Sequence, residues 1–192
     1  MFLDRDGTLN EEAEFIRTLQ ELRMIPGAAA AVRALNDRSI VTCVISNQSG
    51  VARGLLSEED LATIHAGIAD ELLREGARVD RFYYCPHHPS EGLPPYRRAC
   101  ECRKPKPGML LQGAREFNVD LRRSYVVGDR IGDVQAGAAT GASTFLVRTG
   151  YGNSAEEECA RDGVVPDHVV PSLVEAVAMI VQRVDTMKES HA

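Results

Sequence analysis

The sequence predicts an α/β fold in which a mostly parallel sheet is flanked by helices. Short runs of apolar, β-branched residues alternate with amphipathic stretches along the chain, which is the pattern of strands joined by crossover helices. The runs are almost continuously apolar, as expected for strands that are covered on both faces. Acidic pairs follow two of these runs, and ligands bind at the carboxyl ends of strands in such sheets.

The individual elements follow from local signals along the chain. The clearest strands are predicted at residues 40–45, 125–127 and 144–147. The best helix begins after Ser57, an N-cap residue that acidic residues follow in the first turn. Apolar residues recur in it at helical spacing, and it ends near Gly76. Further helices are expected at residues 28–35, after residue 108, at 133–139 and from 172 to about 184.

Composition and charge narrow the function classes. Of 192 residues, 44% are hydrophobic and 26% charged, the balance of a folded globular domain. We expect one domain over residues 1–192 with a flexible polar tail at about 186–192. The net charge of −6 argues against nucleic-acid or membrane partners. Neither a membrane helix nor a signal peptide is recognisable, so we expect a cytoplasmic protein, and a monomer.

Two acidic pairs indicate a metal site. Asp4 and Asp6 stand two residues apart where the first apolar segment meets a glycine. Carboxylates this close repel each other, and a hard cation such as Mg²⁺ removes the repulsion. A solvated Asp-Gly turn would explain the same residues. Asp129 and Asp133 follow the strand at 125–127 and can complete the site.

Two further segments can bind phosphate. The strand at 40–45 leads into Ser46 and a polar turn, whose hydroxyl and backbone N–H groups can face phosphate oxygens. A plain strand-to-loop turn has the same composition. Arg103 and Lys104 lie beside prolines that fix an extended path, which makes a phosphate clamp. A solvated charged surface is the alternative.

The stretch at residues 86–107 has no regular pattern, and such loops in compact domains are usually functional. This stretch and the residue before it contain three thiolates and one imidazole. Together these groups can form a closed tetrahedral site of the structural zinc type. The predicted Zn²⁺ ligands are Cys85, His87, Cys100 and Cys102. His88 is an alternative to His87, and free surface thiols are the alternative to a metal site. This zinc loop covers about residues 85–103.

In chain order, four segments resemble the motifs of the haloacid dehalogenase (HAD) superfamily of phosphatases. They are D-x-D-G-T, a strand ending in S-N, a lysine before proline, and G-D-x-x-x-D. The resemblance implies a Rossmann-like HAD fold with its site at the C-terminal edge of the sheet. Little chain separates the first two motifs, so a minimal cap is expected, with the zinc loop inserted before the third.

The segments YYCPHHP, CRKPKPGM and SNQSGVARG are similar to the heptose bisphosphate phosphatases, with the histidinol-phosphate phosphatases as the alternative branch. This resemblance implies two-step phosphoryl transfer in which Asp4 is the nucleophile and Asp6 the general acid and base. Asp4, the backbone carbonyl of Asp6 and Asp129 would hold Mg²⁺, with Asp133 in support. The implied reaction removes the C7 phosphate of a heptose 1,7-bisphosphate, a small phosphorylated sugar.

The same resemblance implies the other site residues. Ser46 and Lys104 match residues that stabilise the transferring phosphoryl group. Substrate contacts are expected at Asn47, Gln48, Ser49, Arg53, Arg103 and Arg130. The segment after the first motif differs, because it has Glu12-Ala13-Glu14-Phe15 where heptose enzymes typically end their substrate contacts in a Gly-Tyr pair.

Two alternatives come from other function classes. A phospho-receiver-like signalling domain also binds Mg²⁺ with acidic residues at strand ends, but it would have no zinc loop. A non-catalytic zinc-binding interaction module would explain the cysteines, but it gives no reason for the acidic pair or for Lys104.

Overall fold

In the computed structural model, which describes residues 1–189, strands and helices alternate around one sheet. The strands are β1 (Phe2–Leu3), β2 (Cys43–Asn47), β3 (Arg81–Cys85), β4 (Tyr125–Gly128), β5 (Ser143–Val147) and β6 (His168–Val170). The helices are α1 (Ala28–Asn36), α2 (Glu58–Arg74), α3 (Gly108–Phe117), α4 (Ile131–Ala138), α5 (Gly152–Asp162) and α6 (Leu173–Glu189). Short 3₁₀ turns lie at Leu19–Glu21 and Leu121–Arg123.

The sheet has six strands in the order β3-β2-β1-β4-β5-β6, and all neighbouring strands are parallel. This confirms the α/β prediction. The order places β2 and β3 on one side of β1 and the later strands on the other. The crevice outside β1 and β4 is therefore the topological switch point, where ligands bind in open α/β sheets.

Helices cover both faces of the sheet. Phe2 and Val126 belong to a core that includes α3 and α4. The next residue of each strand, Leu3 or Val127, belongs to the larger core with α1, α2 and α6. Because successive strand residues point to opposite faces, both sets must be apolar. This explains the continuous apolar runs.

The predicted start of α2 is confirmed. The Ser57 hydroxyl accepts a hydrogen bond from the Asp60 N–H (3.0 Å), and the Asp60 carboxylate accepts one from the Ser57 N–H (2.8 Å). This reciprocal pair is a capping box, which satisfies two otherwise unpaired donors. The apolar face of α2 is buried at Leu61, Ile64, Ile68 and Leu72.

The boundaries of one predicted strand are wrong. We expected a strand at residues 40–45, but β2 runs from Cys43 to Asn47. The Ile40 N–H instead donates to the Leu35 carbonyl (3.1 Å) and closes the end of α1. Pairing starts at Cys43 because its partner β1 starts at Phe2.

The sequence signals missed β3 and β6. Both strands lie at the edges of the sheet, where one side is unpaired and side chains are less apolar. Helix α5 is mostly polar and buries little beyond Ala155 and Cys159.

Helix α6 continues to Glu189, beyond the predicted end near residue 184. Asp185 pairs with Arg38 near the end of α1 (Nη2 to Oδ2, 2.7 Å), and the Thr186 hydroxyl donates to the Gln182 carbonyl (2.9 Å). These contacts favour a helical conformation over the last residues of α6, 186–189. Residues 190–192 of the predicted tail lie outside the described residues. Within residues 1–189, no helix has the length and apolar character needed to cross a membrane.

Candidate active site

Three carboxylates meet at the switch point of the sheet. Asp4 directly follows β1, Asp129 follows β4, and Asp133 lies in the first turn of α4. All three are buried, and their ligand oxygens lie within 4.8 Å of one another. The adjacency of β1 and β4 brings together acids that are far apart in the sequence.

The lysine that directly follows the zinc loop enters this carboxylate cluster. Lys104 Nζ lies 2.8 Å from Asp4 Oδ1 and 2.5 Å from Asp133 Oδ1, and it donates to the Ile45 carbonyl at 2.8 Å. Burial alone would lower the pKa of Lys104, but the charges of Asp133 and Asp4 outweigh it and raise that pKa. Lys104 therefore stays charged.

The cluster carries more negative charge than Lys104 can balance. Burial, followed by repulsion from Asp133, raises the pKa of Asp4 to about 7 against the opposing charge of Lys104. Burial and the charges of Asp4 and Asp133 raise the pKa of Asp129 to about 8. Asp129 Oδ1 is buried without a hydrogen-bond partner among the described residues. An oxygen-only donor set with surplus negative charge fits Mg²⁺.

The backbone around Asp129 needs a glycine at position 7. Gly7 has a φ of +75°, and a Cβ there would overlap the Asp129 carboxylate. The other side of Asp129 is held by the Tyr151 N–H, which donates to Oδ2 at 2.8 Å. The glycine of the D-x-D-G segment thus lets the first and fourth motifs touch.

Three side chains donate hydrogen bonds to the Asp6 carboxylate. The Arg5 guanidinium donates to both carboxylate oxygens (2.9–3.1 Å), and the side-chain amides of Asn10 (2.9 Å) and Gln48 (2.8 Å) add one bond each. Burial would raise the pKa of Asp6, but Arg5 and the two amides outweigh it and lower that pKa. Sequence reasoning missed Arg5, which is 1% exposed, because a charged residue beside two acids gives no sign of burial.

The end of β2 lies beside the cluster. Ser46 is buried, and its hydroxyl accepts a hydrogen bond from the Gln48 side chain (2.7 Å). The Asn47 side chain bonds to the backbone of Lys104. Both predicted amide contacts to substrate therefore already have protein partners, although these residues and Ser49 line the cleft.

The four predicted zinc ligands converge. Cys100 Sγ lies 3.4 Å from Cys85 Sγ and 3.3 Å from Cys102 Sγ, and His87 Nδ1 lies 3.4 Å from Cys102 Sγ. Tetrahedral zinc with Zn–S bonds of about 2.3 Å separates sulfurs by about 3.8 Å, so the residues fit that ion. His88 Nδ1 instead accepts from the Glu91 N–H (2.9 Å), which resolves the choice between the two histidines in favour of His87.

A cleft of about 610 Å³ opens above the carboxylates. Arg103 and Arg130 line it. The Arg103 guanidinium donates to the His87 carbonyl (3.1 Å). Arg130 lies 3.8 Å from the centroid of the Tyr151 ring and 3.4 Å from the Glu12 carboxylate.

Arg53 is not among the described residues that line the cleft. Its guanidinium pairs with Glu91 and lies 5.8 Å from the centroid of the Phe15 ring. Phe15 itself lines the cleft, so Arg53 lies next to the cleft wall, and a substrate contact at Arg53 stays a prediction.

Comparison with known proteins places this site in a family. A protein-family model described as HAD-hydrolase-like matches residues 101–176. The chain is 48% identical to a D-glycero-beta-D-manno-heptose-1,7-bisphosphate 7-phosphatase of Rhodopseudomonas palustris over 75% of this chain and 80% of that protein. Identity to the enzyme of the same name from Escherichia coli K12 is 39%, over 86% of this chain and 87% of that one. The chain belongs to the heptose-1,7-bisphosphate 7-phosphatase family.

A solved member of this family has the same fold. The D,D-heptose 1,7-bisphosphate phosphatase from B. bronchiseptica, complexed with magnesium and phosphate, superposes with a TM-score of 0.84 at 34% identity, over 95% of this chain and 98% of that one. Membership in the family makes this protein a phosphoric monoester hydrolase. It decides against the phospho-receiver-like domain and the non-catalytic zinc module.

Proposed function

We propose that this protein is a Mg²⁺-dependent phosphatase that removes the C7 phosphate of D-glycero-D-manno-heptose 1,7-bisphosphate through an aspartyl-phosphate intermediate. The observation that carries the proposal is the buried pairing of Asp4 with Lys104 (2.8 Å) below a cleft lined by Arg103 and Arg130. The names of the relatives and of the magnesium and phosphate complex support the same substrate and metal.

Asp4 and its neighbours can perform the transfer. The Asp4 carboxylate attacks phosphorus and displaces the C7 oxygen, and water then hydrolyses the acyl phosphate. Lys104 and the Ser46 hydroxyl stabilise the charge on the transferring phosphoryl oxygens, which is the main protein contribution to such reactions. Bound Mg²⁺, held by Asp4, the Asp6 carbonyl and Asp129 with Asp133 in support, would neutralise further phosphoryl charge.

Asp6 is proposed to move the proton. It must be protonated to donate to the leaving C7 oxygen, and it then accepts a proton from the attacking water. Arg5 and two amides favour its ionised form, so it needs to take up a proton as substrate binds. An arriving phosphate favours this uptake, because nearby negative charge raises a carboxyl pKa.

The arginines are proposed to hold the second phosphate. Arg103 and Arg130 can bind the 1-phosphate through paired N–H donors and orient the C7 phosphate toward Asp4. Histidinol phosphate has an amine in place of a second phosphate, and the arginines repel its charge. Ser49 lines the same cleft and is proposed as a further contact.

The cysteine and histidine cluster is proposed to hold one structural Zn²⁺. All four positions of a tetrahedral site are taken by protein atoms, so no position is open for a catalytic water. A cytoplasmic, monomeric protein of one domain stays a prediction, and the net charge of −6 supports the absence of nucleic-acid and membrane partners.

Steady-state kinetics on three substrates test the proposal. We expect the highest kcat/KM for the heptose bisphosphate, with the C7 phosphate released first, and lower values for histidinol phosphate and p-nitrophenyl phosphate. Arg130→Met should lower kcat/KM for the bisphosphate by about 10-fold or more and spare p-nitrophenyl phosphate. Arg148→Met is the control, because Arg148 pairs with Glu156 on the surface. A higher value for histidinol phosphate, or release of the C1 phosphate first, contradicts the substrate assignment.

A further inference from the structure

One side chain holds the backbone of Lys104. Asn47, the last residue of β2, accepts a hydrogen bond from the Lys104 N–H through Oδ1 (3.0 Å) and donates one to the Lys104 carbonyl through Nδ2 (3.0 Å). The amide thus satisfies both polar backbone groups of this lysine, much as a neighbouring strand would.

Lys104 needs such an anchor. It lies between β3 and α3 in a stretch without helix or strand, yet its ammonium must reach the narrow space between Asp4 and Asp133. The zinc ligands fix the loop only as far as Cys102, two residues earlier. A displacement of the Lys104 backbone would move the ammonium away from both carboxylates.

Asn47 is itself fixed relative to Asp4. Strand β2 pairs with β1, with Val44 opposite Leu3, and both strands are buried in the sheet. The hydrogen bonds from Asn47 therefore transmit the rigid geometry of the sheet to an irregular loop.

We infer that Asn47 is a positioning residue that places Lys104 beside the nucleophile, and not a substrate contact. The inference rests on the proposed function, because it assumes that Lys104 stabilises the transferring phosphoryl group. Asn47 acts on every phosphate ester equally, since it acts through Lys104 and does not touch the part of the substrate that varies.

The chain provides a matched control for Asn47→Ala. Asn36, at the end of α1, makes the same reciprocal pair with the backbone of Arg78: Nδ2 donates to the carbonyl (3.1 Å) and Oδ1 accepts from the N–H (2.8 Å). Neither Asn36 nor Arg78 is among the described residues that line the cleft. Asn36→Ala therefore removes an equivalent clamp away from the reaction.

We expect both alanine variants to lower the Tm by about 2–6 °C, as loss of two hydrogen bonds should in a chain of this size. Only Asn47→Ala should lower kcat, by about 10- to 100-fold, because small misplacements of a reacting group are costly. KM should change little, the fold loss should be equal for the heptose bisphosphate and p-nitrophenyl phosphate, and zinc content should be retained. An unchanged kcat, or a loss confined to KM for the bisphosphate, overturns the inference.

A double-mutant cycle separates this inference from the proposed function. If Asn47 acts only through Lys104, adding Asn47→Ala to Lys104→Met causes no further loss of kcat. A further loss equal to that in the wild type overturns the positioning role. Full activity of Lys104→Met alone contradicts the proposed role of Lys104 instead. Asn47→Ser, whose shorter side chain cannot span both backbone groups, repeats the cycle should the alanine variant fail to fold.

Discussion

Three carboxylates and one ammonium define the chemistry of the site. Asp4 and Asp133 flank Lys104 Nζ, and a carboxylate oxygen of Asp129 lies within 4.8 Å of theirs. Burial, together with the charge of Asp133, raises the pKa of Asp4. A protonated Asp4 cannot attack phosphorus. A divalent cation among the carboxylates would favour the ionised form of Asp4, the proposed nucleophile.

Asp4→Asn should abolish turnover and leave the fold intact. The amide has the shape of the carboxylate but is not a nucleophile, so we expect kcat to fall by at least about 10³-fold. The Tm in magnesium-free buffer should equal or exceed that of the wild type, since the neutral amide avoids the cost of a buried, repelled carboxylate. Steady-state kinetics and thermal melts check both expectations. A near-normal kcat would exclude Asp4 as the nucleophile.

The connection between β3 and α3 joins two functions in one segment. Its first part contains the four proposed zinc ligands, and its last part contains Arg103 and Lys104. The Arg103 guanidinium also donates to the carbonyl of His87 (3.1 Å), so a proposed zinc ligand contacts a residue of the cleft. An irregular loop has no ladder of hydrogen bonds to hold these residues, and a bound metal would supply that rigidity.

The purified protein should contain about one Zn²⁺ per chain, as measured by elemental analysis. Cys100→Ala should lose the zinc and lower kcat by about 10- to 100-fold, because Arg103 and Lys104 follow Cys102 directly and lose their support. Excess Mg²⁺ should not restore activity.

Cys159→Ala is the control for the zinc prediction. Cys159 is a buried cysteine in the small core under α5, away from the metal ligands. This variant should keep both its zinc and its kcat. Full activity of a zinc-free Cys100→Ala protein would mean that the metal supports nothing in the cleft.

At the scale of the whole molecule, buried charge is concentrated at the switch point, where the strand order of the sheet reverses. The strand order places β1 and β4 side by side at the switch point, so acids from two distant segments meet in the interior. The folded protein therefore binds protons at Asp4 and Asp129 more tightly than the unfolded chain, whose carboxyl pKa values lie near 3.8. The stability of the folded protein is therefore expected to depend on pH and on bound cations.

Stability in magnesium-free buffer should fall as the pH rises. The contribution of Asp4 and Asp129 is most favourable below about pH 4 and is lost as the pH rises through their folded pKa values of about 7 and 8. Saturating Mg²⁺ should raise the Tm by about 5–10 °C at pH 8. The increase at pH 5 should be smaller, because protons compete with the cation. Thermal melts at both pH values provide the measurement.

Asp129→Asn serves as the comparison for this pH dependence. It removes one of the two titrating carboxylates, so the fall in Tm with pH and the gain from Mg²⁺ at pH 8 should both shrink. Equal stabilisation by Mg²⁺ at pH 5 and pH 8 in the wild-type protein would show that the cation does not bind to this cluster.

The sequence alone predicted the fold class and most of the residues that converge. The apolar strand segments, the acids that follow them and the capping signal at Ser57 are local patterns. Local patterns can be recognised without knowledge of the tertiary contacts. Cys85, Cys100 and Cys102 were recognisable because few structures besides a metal site explain so many ligands in one irregular loop. Elements with weak local signals, such as the edge strands β3 and β6, were missed.

Only the tertiary structure decided which side chains touch. It showed Arg5 buried against Asp6, Asn47 bound to the backbone of Lys104, and Arg53 paired with Glu91. Each contact depends on where a loop lies relative to a strand far away in the chain, and residue type does not encode that distance. The residue types therefore predicted which side chains could form the candidate site, whereas the contacts among those side chains depended on packing.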